Sequence, residues 1–185
     1  MRQSSKYPTI ILLSIIVVIA LIAYREEKMQ IQGLEERLQQ LEDREAIRQL
    51  LVDYGRCLDQ RDFASFSKLF AEKDGEWIGG MGNAKGSQSI RKLMEESIGT
   101  NGALKNTSFH LFSNETINLA GSRATATTKW VFVVKGDANR PQPAFMGHYE
   151  DDLVRKNGTW KFLKRAVYAD IPTDDLLDSG KKSKQ

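Results

Sequence analysis

Histidine and cysteine are scarce in this chain, two and one among 185 residues, and the shortage removes whole classes of chemistry. A single cysteine, Cys57, excludes an intramolecular disulfide and is compatible with an oxidising or a reducing compartment. The two histidines, His110 and His148, lack ligand spacing, so there is no metal constellation to read. No glycine-rich loop has the form that cradles a phosphate. A basic stripe interleaved with aromatic side chains, which single-stranded nucleic acid needs, is also missing. The net charge of +3 does not replace it, because Lys181, Lys182 and Lys184 in the terminal tail account for it. These absences argue against a nucleic-acid partner, and they leave cofactor-free chemistry as the consistent expectation.

Charge itself is missing from one stretch. Residues 7–24, YPTIILLSIIVVIALIAY, carry none, and only Thr9 and Ser14 interrupt their aliphatic character. As a helix the segment extends about 27 Å at about 1.5 Å per residue, close to the roughly 30 Å of a bilayer core. The expectation is a single transmembrane helix that contacts the lipid bilayer. A cleaved signal peptide is the rival reading, but Leu21 spoils the small-x-small pattern before Ala23. Arg2 and Lys6 precede the segment and Arg25 and Lys28 follow it, so the positive-inside rule separates the two orientations weakly. The reading adopted is a soluble domain on the periplasmic or extracytoplasmic side. Sequons at Asn106, Asn114 and Asn157 would matter only in a eukaryotic secretory pathway.

The predicted organisation is a tail over residues 1–6, the span over 7–24, a helical stalk over 25–42, a domain over 43–172 and a flexible basic tail over 173–185. In the stalk, Ile31, Leu34, Leu38 and Leu41 have the spacing of a short coiled-coil seam. It reads either as a solvated stalk or as the seam of a homo-oligomer. In the domain, Ile47, Leu51, Tyr54 and Leu58 form a core-facing stripe at helical spacing, widened by Leu50 and Cys57. After an Asp-rich elbow, Asp62 is a good N-cap for a second helix with Phe63, Phe66, Leu69 and Phe70 as its apolar face. Glu76 to Ile78 reads as a short strand, GGMGNAKG as a turn, and Ser87 to Ile98 as a third helix. Beyond Gly102 the period shortens, and four strands are predicted at Thr107–Leu119, Ala124–Lys135, Pro143–Lys156 and Thr159–Ala169. Asn157-Gly158 between the last two is a type I′ hairpin signal. Helices followed by an antiparallel meander make an α+β domain.

That order of elements resembles the nuclear transport factor 2-like (NTF2-like) superfamily in its SnoaL-like branch. The residues that carry the likeness are EAIRQLLVDYGRCLDQRDFASFSKLFAEKDGEW at one end and HYEDDLVRKNGTWKFLKRAVYADIP at the other. It covers about Leu41 to Pro172. The resemblance implies a cone of three helices packed on a curved antiparallel sheet, with a pocket at its mouth for a hydrophobic small molecule. In a dehydrochlorinase of this superfamily, an Asp ending the first helix orients a strand His that removes a proton. Matched by motif, these fall on Asp59 and His110, and a last-strand arginine falls on Arg165. A helix-one lysine of that enzyme is replaced here by Tyr54, which instead matches the oxyanion-donating tyrosine of ketosteroid isomerase. The isomerase base would fall near Trp77 to Gly80, where this chain has no carboxylate.

Each of these residues also has an ordinary reading. Asp59 could be a solvated turn residue, His110 a hydrogen-bonded strand residue, and Tyr54 a packing residue of the core stripe. Arg165 could contact substrate or form an ion pair with Asp151. His148 reads as structural. The tryptophans at 77, 130 and 160, with Phe112 and Phe132, read as core or dimer interface rather than pocket wall. Glu150 to Asp152 could bind calcium or a partner, though such an acidic edge is ordinarily just solvated. Two functions follow. One is a membrane-anchored lyase of dehydratase type or an isomerase, with Asp59 and His110 as a general-base pair and Tyr54 or Arg165 steadying the oxygen that gains charge. The other is a ligand-binding or assembly module without chemistry.

Overall fold

A computed structural model describes residues 7–102, 105, 107–136 and 139–171; the predicted terminal tails lie outside them. The chain divides into two units, Met1–Glu42 and Asp43–Gln185. A long helix, α1 (Tyr7–Asp59), begins in the first unit and ends in the second.

In the first unit the helix runs through Gly33 without a break. Its described apolar side chains, from Leu12 to Ile22 and at Ile31, Leu34, Leu38 and Leu41, are exposed. Among the described residues no helix is long and apolar enough to cross a membrane. The predicted span is helical, but the side chains of residues 7–11, 14 and 15 lie outside the description.

The second unit is built on the residues of α1 from Asp43 onward. Ile47, Leu50, Leu51, Tyr54, Cys57 and Leu58 are all buried, the stripe that helical spacing predicts. Asp43 anchors this segment, because its carboxylate accepts from Arg155 Nη1 at 2.8 Å and from the Trp160 indole at 2.8 Å. The helix stops at a tight elbow. Arg61 there has φ of 55°, a left-handed conformation that non-glycine residues rarely adopt. Asp62 then caps α2 (Phe63–Ser67), its Oδ1 accepting from the Ser65 N–H at 3.0 Å.

The remaining elements are β1 (Glu76–Gly79), β2 (Gly82–Lys85), α3 (Ser87–Ile98), β3 (Ser108–Ala120), β4 (Arg123–Lys135), β5 (Pro141–Lys156) and β6 (Thr159–Ile171). They form one six-stranded sheet in the order β2-β1-β6-β5-β4-β3. Two expectations are corrected here. Gly82–Lys85, read as part of a turn, is a strand, because β1 offers a free edge and pairs with it antiparallel. Pairing to a neighbour overrides the low strand propensity of GNAK. The sheet is also mixed rather than antiparallel, since β1 runs parallel to β6. Chain entry from α2 fixes that direction, and Phe70 already bridges to Phe162 in the parallel sense.

A charge pair lies in the core. Arg165 is fully buried and grips Asp151 through two bonds of 2.7 Å. Its guanidinium lies 4.0 Å over the Tyr54 ring, 4.2 Å over Tyr149 and 4.1 Å over Phe162, so aromatic faces and a carboxylate together replace the lost hydration. The acidic surface read at Glu150 to Asp152 is therefore incomplete, because its middle member points inward.

Candidate active site

The sheet face that carries His110, Trp130, Tyr149 and Val167 lines a cavity with α1 and α3. Its volume is about 470 Å³, and Tyr54, Leu58, Trp77, Ile98, Phe132 and Phe145 complete much of the wall. Met81 and Phe145, both in the lining, are also exposed, giving an entrance with an apolar rim. The polar groups in the wall, with Arg61 as the charged one, are few against its apolar lining.

His110 is placed by the end of α1. Its Nδ1 lies 2.7 Å from Asp59 Oδ1, and its backbone N–H donates to Asp59 Oδ2 at 3.1 Å. Both carboxylate oxygens are thus committed to one strand residue. A carboxylate only accepts, so Nδ1 must carry the proton, and Nε2 of the neutral ring is left with a free lone pair. The two side chains are 15% and 14% exposed, sheltered but reachable. Asp59 does not line the large cavity. It borders a second hollow of about 420 Å³ together with Gly55, Phe112 and His110 itself. Of the pair, only His110 reaches the larger of these two hollows.

Gly55 makes this approach feasible. A Cβ there would stand 2.6 Å from the Phe112 ring and 3.4 Å from His110 Cβ. Without a side chain, α1 comes close enough to β3 for Asp59, one turn later on the same face, to reach the imidazole.

Tyr54 accepts a 2.9 Å hydrogen bond from the Trp77 indole. An indole N–H can only donate, so the phenolic proton of Tyr54 is not used in that bond and stays available to a ligand. Burial pushes the Tyr54 hydroxyl above its ordinary range, with Arg165 pulling the other way. Tyr149, also in the wall, is pushed well above it by burial. Both are therefore neutral donors near neutral pH.

Arg165, by contrast, is not in the cavity wall. It sits behind the rings of Tyr54 and Tyr149, bound to Asp151, so the ion-pair reading describes it. His148 faces Asp170 at 2.9 Å and stacks on Tyr168, away from the cavity. Trp160 is in the core, as expected. Trp77, Trp130 and Phe132 do line the cavity, however, because the curved inner face that forms the core also forms the pocket.

Two further wall residues, Tyr149 and Arg61, escaped the sequence reading. Tyr149 had a signal, since strand alternation puts it on the inward face with Asp151. Trp130 is 7% exposed, and its Nε1 is buried with no hydrogen-bond partner among the described residues. Arg61 had no signal, because a left-handed arginine is not announced by its type. Its Nη1 donates to the carbonyls of Ile98 and Gly99 at 2.6 and 2.9 Å, tying the end of α3 to the elbow beside Asp59. Among the described residues no group of three or more His, Cys, Asp or Glu side chains could hold a metal ion.

The comparisons with known proteins agree with this architecture. The model of the SnoaL-like domain matches residues 39–166, and the chain belongs to that family. A relative in Mycobacterium tuberculosis, the uncharacterized protein Rv2910c, is 27% identical over 130 residues, covering 68% of this chain and 84% of its own. Among solved structures, an NTF2-like protein of Novosphingobium aromaticivorans with a cystatin-like fold is similar at a TM-score of 0.67 and 25% identity. The likeness covers 78% of this chain and 93% of that one. A protein of the same bacterium described as a candidate scytalone dehydratase is similar at a TM-score of 0.59 and 26% identity, covering 71% and 87%.

Proposed function

We propose that this domain is a cofactor-free lyase of dehydratase type, or an isomerase, acting on a largely apolar small molecule with an acidic C–H bond. The observation that carries the reading is the Asp59–His110 pair at 2.7 Å, its imidazole opening on an apolar cavity of about 470 Å³. Likeness to a candidate scytalone dehydratase supports the same class of reaction.

His110 Nε2 takes the substrate proton, and Asp59 steadies the imidazolium that forms. The electrons of the broken C–H bond move toward an adjacent oxygen-bearing carbon, and Tyr54 donates a hydrogen bond to the oxygen that gains charge. In a dehydration those electrons form the C=C bond, the C–O bond breaks, and the imidazolium proton leaves with the hydroxyl as water. In an isomerisation the imidazolium returns its proton to another carbon. Arg165 touches no reacting atom in this scheme and acts as a positioning residue through the rings of Tyr54 and Tyr149.

The test uses 2-acetylnaphthalene in deuterium oxide, with NMR reading exchange of its methyl protons. Wild-type protein should accelerate exchange over buffer. His110→Ala should lose roughly 10²–10⁴-fold of that acceleration, the usual worth of a positioned base, with an unchanged circular dichroism spectrum. Asp59→Asn should lose much of it. Equal acceleration by wild type and His110→Ala would refute the mechanism.

The proposal extends to location. Residues 7–24 anchor the chain in a bilayer, residues 25–42 form a stalk that pairs copies into a homo-oligomer, and the domain lies on the periplasmic or extracytoplasmic side. Support comes from the uncharged sequence of the segment and from the exposed Leu12, Ile16, Ile19 and Ile22 side chains on its helix. The exposed seam of Ile31, Leu34, Leu38 and Leu41 also favours the second reading, an assembly module that has kept a ligand pocket.

A further inference from the structure

An arginine drawn into a fold is ordinarily answered by a carboxylate, and two in this domain are. Arg155 pairs with Asp43 and Arg165 with Asp151. Arg61, the charged residue of the cavity wall, has no carboxylate within ion-pair distance among the described residues. Its acidic neighbours in sequence are engaged elsewhere, Asp59 by His110 and Asp62 by the first turn of α2. What Arg61 holds instead is the end of α3, through the Ile98 and Gly99 carbonyls. Carbonyls at a helix C-terminus favour a cation, but they carry only partial charge, so the wall keeps a positive charge that no protein anion matches.

The side chain is fixed at both ends. Its backbone, at φ of 55°, takes the left-handed place after a helix where glycine is usual. The Asp62 N–H closes that helix end with a 2.9 Å bond to the Cys57 carbonyl. At the far end, Nη1 is committed to the two α3 carbonyls, and Nε is sealed without a partner. Nη2 makes no bond to the described residues and, unlike Nε, is not sealed. It is the corner of the guanidinium that a ligand can reach. Ser97 and Ser108 add hydroxyl groups to the same cavity, and His110 also faces it.

We propose that Arg61 is a specificity-determining residue, which selects apolar ligands bearing a carboxylate over neutral ligands of the same shape by binding the anion at Nη2. This rests on the cavity being the ligand site, as under the proposed function, but not on the Asp59–His110 chemistry. The aromatic walls take the apolar body of the ligand. One cationic corner with one open nitrogen suits a single negative charge, and a charge-assisted bond to a carboxylate is stronger than one to a neutral oxygen. Because Arg61 is tied to α3, the bound carboxylate marks that end of the cavity and sets which carbon is presented to His110.

The experiment titrates the protein calorimetrically with 2-naphthylacetate and with 2-naphthylacetamide, which match in shape and differ in charge. The carboxylate should bind roughly tenfold to a hundredfold tighter than the amide, the size of one hydrogen bond to a charged group. Arg61→Gln should bring the two affinities together while leaving that of the amide within about twofold, a change of preference that a purely structural tie to α3 does not produce. Arg61→Lys, which keeps the cation, should keep part of the preference. Equal affinities in wild type, or a preference that survives in Arg61→Gln, would overturn the role of Arg61 while leaving the cavity a ligand site. Binding of neither probe would overturn both. If Arg61→Gln does not fold, the wild-type comparison and Arg61→Lys still decide the matter, since equal affinities in wild type or an unchanged preference for the amide in both would overturn it.

Discussion

Gly55 is the smallest residue of the site, and its neighbours depend on its having no side chain. Alanine there would put a methyl group 2.6 Å from the Phe112 ring, so the ring, β3 or α1 must shift. Gly55→Ala should therefore destabilise the domain by about 1–3 kcal/mol, as overpacking does, although alanine favours a helix. It should also slow the exchange reaction by lengthening the Asp59–His110 bond. Chemical denaturation and the deuterium assay check the two effects separately, and a more stable, fully active variant would show that the close approach is not needed. The sequence puts Asp59 one helical turn after Gly55, but it does not show the close approach that follows from it. Nor does it show the partner, since 51 residues separate His110 from Asp59 and only the resemblance joined them. Tyr54 was legible as a core aromatic. That it accepts from Trp77, and so keeps its own proton free, required the structure.

At the scale of elements, periodicity located most of what forms. The spacing of apolar residues gave α3 as Ser87 to Ile98, the bounds it has, whereas which face of β3 carries His110 toward the cavity came from the structure. What local pattern missed is what pairing decides. Gly82–Lys85 has no strand character of its own and becomes β2 only because β1 has an edge to fill. The parallel register of β1 on β6 joins segments nearly ninety residues apart, which no local signal encodes. The elbow was legible as a stop in the helix, whereas its left-handed Arg61 and the tie to α3 were not. The N-terminal part of α1 carries its own prediction. Full-length protein expressed in a bacterium should stay in the membrane fraction through alkaline carbonate washing, and a chain beginning at Arg25 should not. Release of the full chain by carbonate would contradict the anchor.

For the molecule as a whole, the family match over residues 39–166 and the six-stranded sheet define an NTF2-like cone whose inner face is both core and pocket. That double use explains why Trp77, Trp130 and Phe132 read as packing residues in sequence and line the cavity in the fold. It also explains the buried Arg165–Asp151 pair, which holds the tyrosine rings from behind while leaving the wall apolar. The account depends on one atom, His110 Nε2, being an unprotonated base facing that cavity. Its protonation is read directly by ¹⁵N–¹H correlation on protein labelled at histidine, with His148→Gln removing the one other histidine signal. The neutral ring should carry its proton on Nδ1, with Nε2 bare, and adding 2-acetylnaphthalene should shift the Nε2 signal. A ring protonated at Nε2, with Nδ1 bare toward Asp59, would contradict the account.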